Sequence, residues 1–281
     1  MRQEFSLASG FSPDRLHSLQ AAVAEIVREA GDIALGFARD GAKRWTKGDS
    51  SIVTEADISV DRFLRPRLSE LDTSIGWLSE ETTDTPERLE HEYIWVVDPI
   101  DGTRAFVEGV PVWVVSIGLV ERGRPVLGTI FNPTRDEMFE ATLGGGARMN
   151  GEAIQASSHA ELSGAQVIGP RTMMEGLEGT GACTGVARAP YVYALAYRIA
   201  SVAIARVDAA LASTRAKDWD IAAADLILGE AGGALLEFDG TPPRYNQPSP
   251  VHQPLIAARE PLNSSLRGAL TQAARQSNTW A

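Results

Sequence analysis

The chain carries a single cysteine among its 281 residues, Cys183, which excludes an internal disulfide and any multi-cysteine zinc site. Its four histidines, His17, His91, His159 and His252, are scattered without metal-ligand spacing, so zinc chemistry is not expected. No apolar run approaches the roughly 18 residues that span a bilayer. The first ten residues also lack the basic-then-apolar pattern of a secretory signal, which leads us to expect a cytoplasmic protein with no membrane partner. Positive charge is in deficit: 26 Lys and Arg stand against 37 Asp and Glu, a formal net charge of −11. A surface of that sign argues against direct nucleic-acid binding, because a phosphate backbone demands a basic face. There is no fixed-period repeat and no linker rich enough in Pro, Gly or Ser to separate independent domains. What is present is the composition of a packed globule, 44% hydrophobic and 22% charged.

Periodicity gives a mixed architecture. Ser12 is a good N-cap, Pro13 suits the first helical position, and Asp14 favours the positive end of the helix dipole. Leu16, Leu19, Val23, Ile26, Val27, Ala30, Ile33, Ala34 and Phe37 continue one apolar stripe, and the helix is predicted to stop near Gly41. Lys47 to Ser51 reads as a loop, and a second helix starts at Thr54 with Ile58, Phe63, Leu64 and Leu68 on one face. Pro66 is predicted to kink or shorten it. The runs 93–97, 112–120, 126–131 and 138–141 read as strands with turns between them. The Gly-rich stretch 161–189 has no clear assignment. Residues 193–205 and 221–229 read as helices around a strand at 207–212, and the last dozen residues as a frayed tail. The expected fold class is α/β (α+β), layers of helices and sheets in one domain over residues 12–268. That domain divides into lobes 12–185 and 186–268, followed by a tail at 269–281. An extended apolar helix face suggests a homodimer.

Chemistry concentrates in Asp98-Pro99-Ile100-Asp101-Gly102-Thr103-Arg104. A buried strand ending at Asp98 delivers it to the carboxyl end of a sheet, where α/β proteins place ligands. Pro99 keeps Asp98 extended and ends the strand. In a regular strand Asp98 and Asp101 would face opposite ways. A turn at Pro99-Ile100 can gather both carboxylates and aim the Ile100 carbonyl inward. Gly102 permits unusual backbone angles, and a helix starting near Thr103 offers free amides to an anion. Two acids this close repel unless a proton or a cation lies between them. The reading is a hard divalent metal, best magnesium, beside a phosphate; the plainer one is a capping turn in which both Asp satisfy backbone amides.

The segment Asp98-Pro99-Ile100-Asp101-Gly102-Thr103 resembles the signature of the inositol monophosphatase family of magnesium-dependent phosphatases. Trp77-Leu78-Ser79-Glu80-Glu81-Thr82 is similar to the family's paired-glutamate motif. Asp218-Trp219-Asp220-Ile221-Ala222-Ala223-Ala224 with Gly232-Gly233 resembles its Trp-Asp helix motif. The run from Asp49 through Ser51, Val53 and Thr54 to Asp57 resembles its N-terminal loop, with the spacing of the bisphosphate nucleotidase and histidinol-phosphatase branches. The four motifs stand in family order over most of residues 45–235.

The resemblance implies the sugar-phosphatase fold and a phosphomonoesterase that hydrolyses a small phosphorylated metabolite. It implies two or three Mg²⁺ ions held by Glu80, Asp98, Asp101, Asp220 and the Ile100 carbonyl, and sensitivity to lithium. Asp98 would bridge two ions, and Asp101 with Asp220 would hold the second. Gly102 and Thr103 amides would cradle the phosphate, while Asp49 and Thr103 would orient and deprotonate the attacking water. Glu80, Asp101, Asp220 and Arg104 would complete the substrate-binding set. Trp219 reads as packing that fixes Asp220, Glu81 as support, Cys183 as a small core or loop residue, and Asp57 as a helix-start residue. Ser213 stands where some inositol-specific members carry a substrate-gripping Glu. The candidate esters are a 3′(2′),5′-bisphosphate nucleotide, an inositol monophosphate or histidinol phosphate. A rival of another class is a partner of the transcription machinery with a secondary phosphatase activity. An aspartyl-phosphate mechanism fits poorly, since its two Asp would need one residue between them rather than two.

Overall fold

The computed structural model describes residues 10–46, 48, 51–179 and 185–277, so Asp49 and Cys183 lie outside the described residues. The chain opens with α1 (Pro13–Asp40), whose N-cap Ser12 hydroxyl accepts the Arg15 amide. A short hairpin, β1 (Arg44–Thr46) and β2 (Ile52–Thr54), leads into α2 (Glu55–Leu71), where Thr54 and Asp57 form a reciprocal capping box. The strands β3 (Gly76–Ser79), β4 (Tyr93–Asp101), β5 (Val114–Glu121), β6 (Arg124–Asn132), β7 (Glu137–Thr142), β8 (Gly146–Met149) and β9 (Glu152–Ala153) then form a seven-stranded sheet in chain order. It is antiparallel except where β3 runs parallel to β4. The short helix α3 (Thr103–Glu108) leaves the end of β4.

A second, five-stranded sheet takes β10 (Gln166–Ile168), β11 (Ala187–Arg188), β12 (Ala209–Ala212), β13 (Ala234–Glu237) and β14 (Leu255–Ala258), in the order β11-β10-β12-β14-β13. Its helices are α4 (Arg171–Gly179), α5 (Leu195–Ala203), α6 (Asp218–Glu230) and α7 (Leu262–Ser277). The apolar clusters give the stacking. Trp95 and Val97 of β4 pack with Val23, Val27, Leu64 and Leu68 of α1 and α2. Ile94 and Val96, alternating to the other face as a strand requires, join Ile199, Ile221 and Ile227 of α5 and α6 together with Ala210 and Leu255 of the second sheet. The outer face of that sheet packs Val167, Leu211 and Ile256 on Met173, Leu177, Leu266 and Leu270. The result is five layers, helix–sheet–helix–sheet–helix.

Several expectations are corrected. The last dozen residues are not a frayed tail as far as Ser277: α7 occupies them, with Ala269, Leu270 and Ala273 buried. In the second sheet, β10 (Gln166–Ile168) comes from the segment expected for the first lobe, and β11 to β14 from the segment expected for the second. Pro66 does not shorten α2. Its ring is exposed while Val60, Leu64 and Leu68 hold both halves of the helix in the core, and the carbonyl deprived of a partner belongs to solvent-facing Arg62. Nor does Pro99 end β4, which runs on to Asp101 through a register shift.

α6 approaches the first sheet unusually closely. Gly118 and Gly128 are cross-strand partners on β5 and β6, and a Cβ at Gly128 would stand 2.6 Å from the Ala223 carbonyl oxygen and 3.1 Å from its Cα. These obstacles are backbone, so no side chain can swing away. Gly128→Ala is expected to cost roughly 1–3 kcal/mol by overpacking, a fall of several degrees in Tm, and to push Asp220 outward with its helix. Gly36→Ala, in open space on α1, should instead raise Tm slightly. Thermal melts of the two variants check the contrast.

Candidate active site

β4 and β5 pair Asp98 with Ser116 and Asp101 with Val114, so three steps on β4 match two on β5. This one-residue bulge defeats the alternation that would have set the two carboxylates on opposite faces. One carboxylate oxygen each from Asp98, Asp101 and Asp220 then lies within 4.8 Å of the others. The Ile100 amide donates to Asp98 Oδ1 at 3.0 Å. The parallel neighbour β3 ends beside β4, its register pairing Ser79 with Val97, and the Glu80 amide reaches the Val97 carbonyl at 3.2 Å. Glu80 therefore enters the same cavity, outside the tight group of three. Asp61 fixes this corner: its carboxylate accepts the hydroxyls of Ser79 and, at 2.9 Å, Thr82.

Two further elements close the site. Asp101 accepts the amides of Leu195 at 2.9 Å and Ala196 at 2.7 Å, so it caps the first turn of α5. Gly102 sits at φ 92°, and a Cβ there would meet Ala194 Cβ at 2.9 Å, so the turn requires glycine. Asp220, on the first turn of α6, accepts the Lys217 amide at 2.7 Å. That turn is pinned from below: buried Asp218 binds His252 Nε2 at 2.7 Å and the Asn246 amide at 2.8 Å. Trp219 is partly buried against the central cluster, as packing beside Asp220 requires.

The Thr103 hydroxyl lies 3.0 Å from Asp57 Oδ1 and 3.1 Å from the Ile100 carbonyl. Asp57 is thus more than a helix-start residue, because its second oxygen faces the site. The observed partner of Thr103 is Asp57, and the pairing expected with Asp49 falls outside the described residues. The cavity above these groups measures about 340 Å³ and is also lined by Ser51, Ile52, Arg104 and Tyr193. Ser213 is not among its lining residues.

Burial dominates the electrostatics. It raises Asp98 well above the usual carboxylate range, reinforced by the charges of Glu80, Asp101, Asp220 and Asp57. Asp101 is pushed up to about 7 by burial, against the pull of the Leu195 and Ala196 amides and of Arg198. Asp220 also rises to about 7, from burial and then the charge of Asp101. Burial raises Asp57 as well, opposed by the hydrogen bonds from Thr54. Such a cluster holds protons or cations. Its gathered groups are carboxylates, whose hard oxygens suit a hard divalent metal.

The sequence model of the inositol monophosphatase family matches residues 15–278. The chain belongs to the inositol monophosphatase family. Among relatives, it is 35% identical over 233 residues to an inositol monophosphatase of Dictyostelium discoideum, covering 79% of this chain and 85% of that one. It is 37% identical over 145 residues to a histidinol-phosphatase of Chlorobaculum parvum, 51% of this chain and 55% of that protein. The solved IMPase of Thermotoga maritima superposes with a TM-score of 0.80 at 26% identity, over 94% of this chain and 99% of the other. The family is one of phosphatases, so the chain is a phosphoric monoester hydrolase, and its layered fold is the family's. No helix among the described residues is long and apolar enough to cross a membrane.

Proposed function

We propose that the protein is a Mg²⁺-dependent phosphomonoesterase acting on a small phosphorylated metabolite in the cytoplasm. The observation that carries this reading is the group of three carboxylates within 4.8 Å at the end of β4, beside the start of α3. Glu80, Asp98 and the Ile100 carbonyl would hold one cation, and Asp98, Asp101 and Asp220 a second. Bound there, the cations supply Lewis-acid polarisation of the phosphoryl group, a more acidic water, and neutralisation of the charge on both attacking and leaving oxygens.

The protein's own groups do the rest. The Gly102 and Thr103 amides at the head of α3 face the phosphate oxygens, and Arg104 lines the cavity. Water attacks phosphorus in line, the P–O bond breaks with its electron pair left on the alcohol oxygen, which takes a proton from solvent water, and inorganic phosphate and the free alcohol result. The water's proton passes to Thr103 Oγ1 while the Thr103 proton moves to Asp57 Oδ1, 3.0 Å away. Asp57 suits the task because burial raises its proton affinity. Asp49, expected in this role, lies outside the described residues. No covalent phosphoenzyme is formed.

A phosphate-release screen over adenosine 3′,5′-bisphosphate, inositol 1-phosphate and histidinol phosphate, with and without MgCl₂, tests the reading. Release from at least one ester, dependent on Mg²⁺, is expected. No release from any of them at any Mg²⁺ concentration would overturn it in favour of a binding role.

A further inference from the structure

We propose that the site selects esters whose leaving alcohol carries a planar aromatic ring, held by a platform made of Tyr193 and Tyr191; this rests on the phosphatase reading above. Tyr193 lines the same cavity as Asp98 and Asp220. It is 39% exposed and Tyr191 47%, among the most exposed large apolar side chains described. Isolated exposed aromatics are ordinary, but these two form a pair. Their rings meet edge to face, with centroids 5.4 Å apart and an interplanar angle of 86°.

Each ring is backed by a guanidinium. Arg198 lies over Tyr191 at 4.9 Å and Arg104 over Tyr193 at 5.2 Å. The two cations differ in a way that matters. Arg198 is 5% exposed, donates to the Leu211 carbonyl at 2.8 Å, and leaves its buried Nε with no partner. It is a fixed charge that holds Tyr191 from behind. Arg104 is exposed at the mouth, so it can swing out and admit a second ring against Tyr193. A ring stacked there gains contact with the tyrosine on one face and the guanidinium on the other.

The local chain explains the placement. Residues 190–194 form an irregular segment ahead of α5, with a bend at Tyr193, and exposure alternates along 191–193. Val192 turns inward against the central cluster, and Tyr191 and Tyr193 turn outward. Two residues later the Leu195 amide binds Asp101, so the platform is tied to the carboxylates that locate the phosphate. A polyhydroxylated alicyclic alcohol asks for hydrogen-bond partners; Tyr193 at the cavity, braced edge to face by Tyr191, offers a π-face instead.

Nucleobase and imidazole rings share this chemistry, and the substrates separate them. The test measures kcat/KM for adenosine 3′,5′-bisphosphate, histidinol phosphate, inositol 1-phosphate and glycerol 2-phosphate in wild type, Tyr193→Leu, Tyr193→Phe and Tyr191→Leu. In wild type one ringed ester should lead both ring-free ones. Tyr193→Leu should lower the ratio of ringed to ring-free kcat/KM roughly ten- to a hundredfold, the usual scale of base–aromatic stacking. Tyr193→Phe should keep that ratio. Saturation-transfer NMR with adenosine, histidinol and inositol reads ring binding independently of turnover. If no ester is hydrolysed, the phosphatase reading fails, and loss of adenosine or histidinol binding in Tyr193→Leu still decides for the platform. A wild-type preference for inositol 1-phosphate, or a ratio unmoved in Tyr193→Leu, overturns the proposal.

Discussion

Asp98→Asn is expected to lower Mg²⁺-dependent phosphate release by about a thousandfold or more while the fold stands. Mutating a single preorganised electrostatic group commonly costs ~10²–10³ in kcat, and on the proposed reading Asp98 would serve two cation sites at once. The substitution is nearly isosteric, and an asparagine Oδ1 can still accept the Ile100 amide that Asp98 Oδ1 accepts at 3.0 Å. Loss of activity would therefore come from the missing charge. Burial and four neighbouring carboxylates, Glu80, Asp101, Asp220 and Asp57, all oppose ionisation of Asp98. Removing its charge should make the metal-free protein more stable at pH 8, not less. Phosphate release and a thermal melt on the same preparation check both halves. Turnover within tenfold of wild type, or a lower Tm at pH 8, would contradict the assignment.

The contrast between motif and fold shows what the linear chain can carry. Asp98 and Asp101 were legible because they flank an unusual strand-end turn, and Asp220 only because its Trp-Asp segment resembles a family motif. The strands 93–97 and 126–131 and the helix at 13–40 were legible because an apolar stripe or alternation runs along each one. The bulge that gathers the two acids was not: Pro99 marks a disturbance, but only the pairing with β5 shows that the strand continues past it. The amides of Leu195 and Ala196 lie 94 and 95 residues from the carboxylate they cap, and backbone donors leave no mark on a sequence. Asp57 was visible as a capping residue, yet its second oxygen reaches Thr103, 46 positions away. Helix α7 was missed because its interrupted stripe, Leu262, Leu266, Ala269, Leu270 and Ala273, is rich in small residues. Tertiary packing against β14 and α4 supplies what periodicity understates.

The second large effect is a coupling of stability to pH that a divalent cation should reverse. Asp101 and Asp220 are both pushed up to about 7 in the folded protein, chiefly by burial, whereas in an unfolded chain they titrate near about 4. Between those values the folded state binds protons that the unfolded state has lost. Their contribution to stability is therefore complete below about pH 4 and drains away as pH rises through about 7. A cation binds the ionised carboxylates, so its stabilisation should run the other way, small at pH 5 and large at pH 8. Metal-free protein should thus melt at a lower temperature at pH 8 than at pH 5, and Mg²⁺ should recover most of the loss at pH 8 alone. One group separates cation from proton. Asp225 is also pushed up to about 7 by burial, but it faces the Tyr245 hydroxyl at 2.8 Å and is absent from the carboxylate cluster. Its share of the pH dependence should survive saturating Mg²⁺ and vanish in Asp225→Asn. Melts at pH 5 and 8, with EDTA or Mg²⁺, measure all of this. An Mg²⁺ shift equal at both pH values would show that the cation does not displace protons from the buried acids.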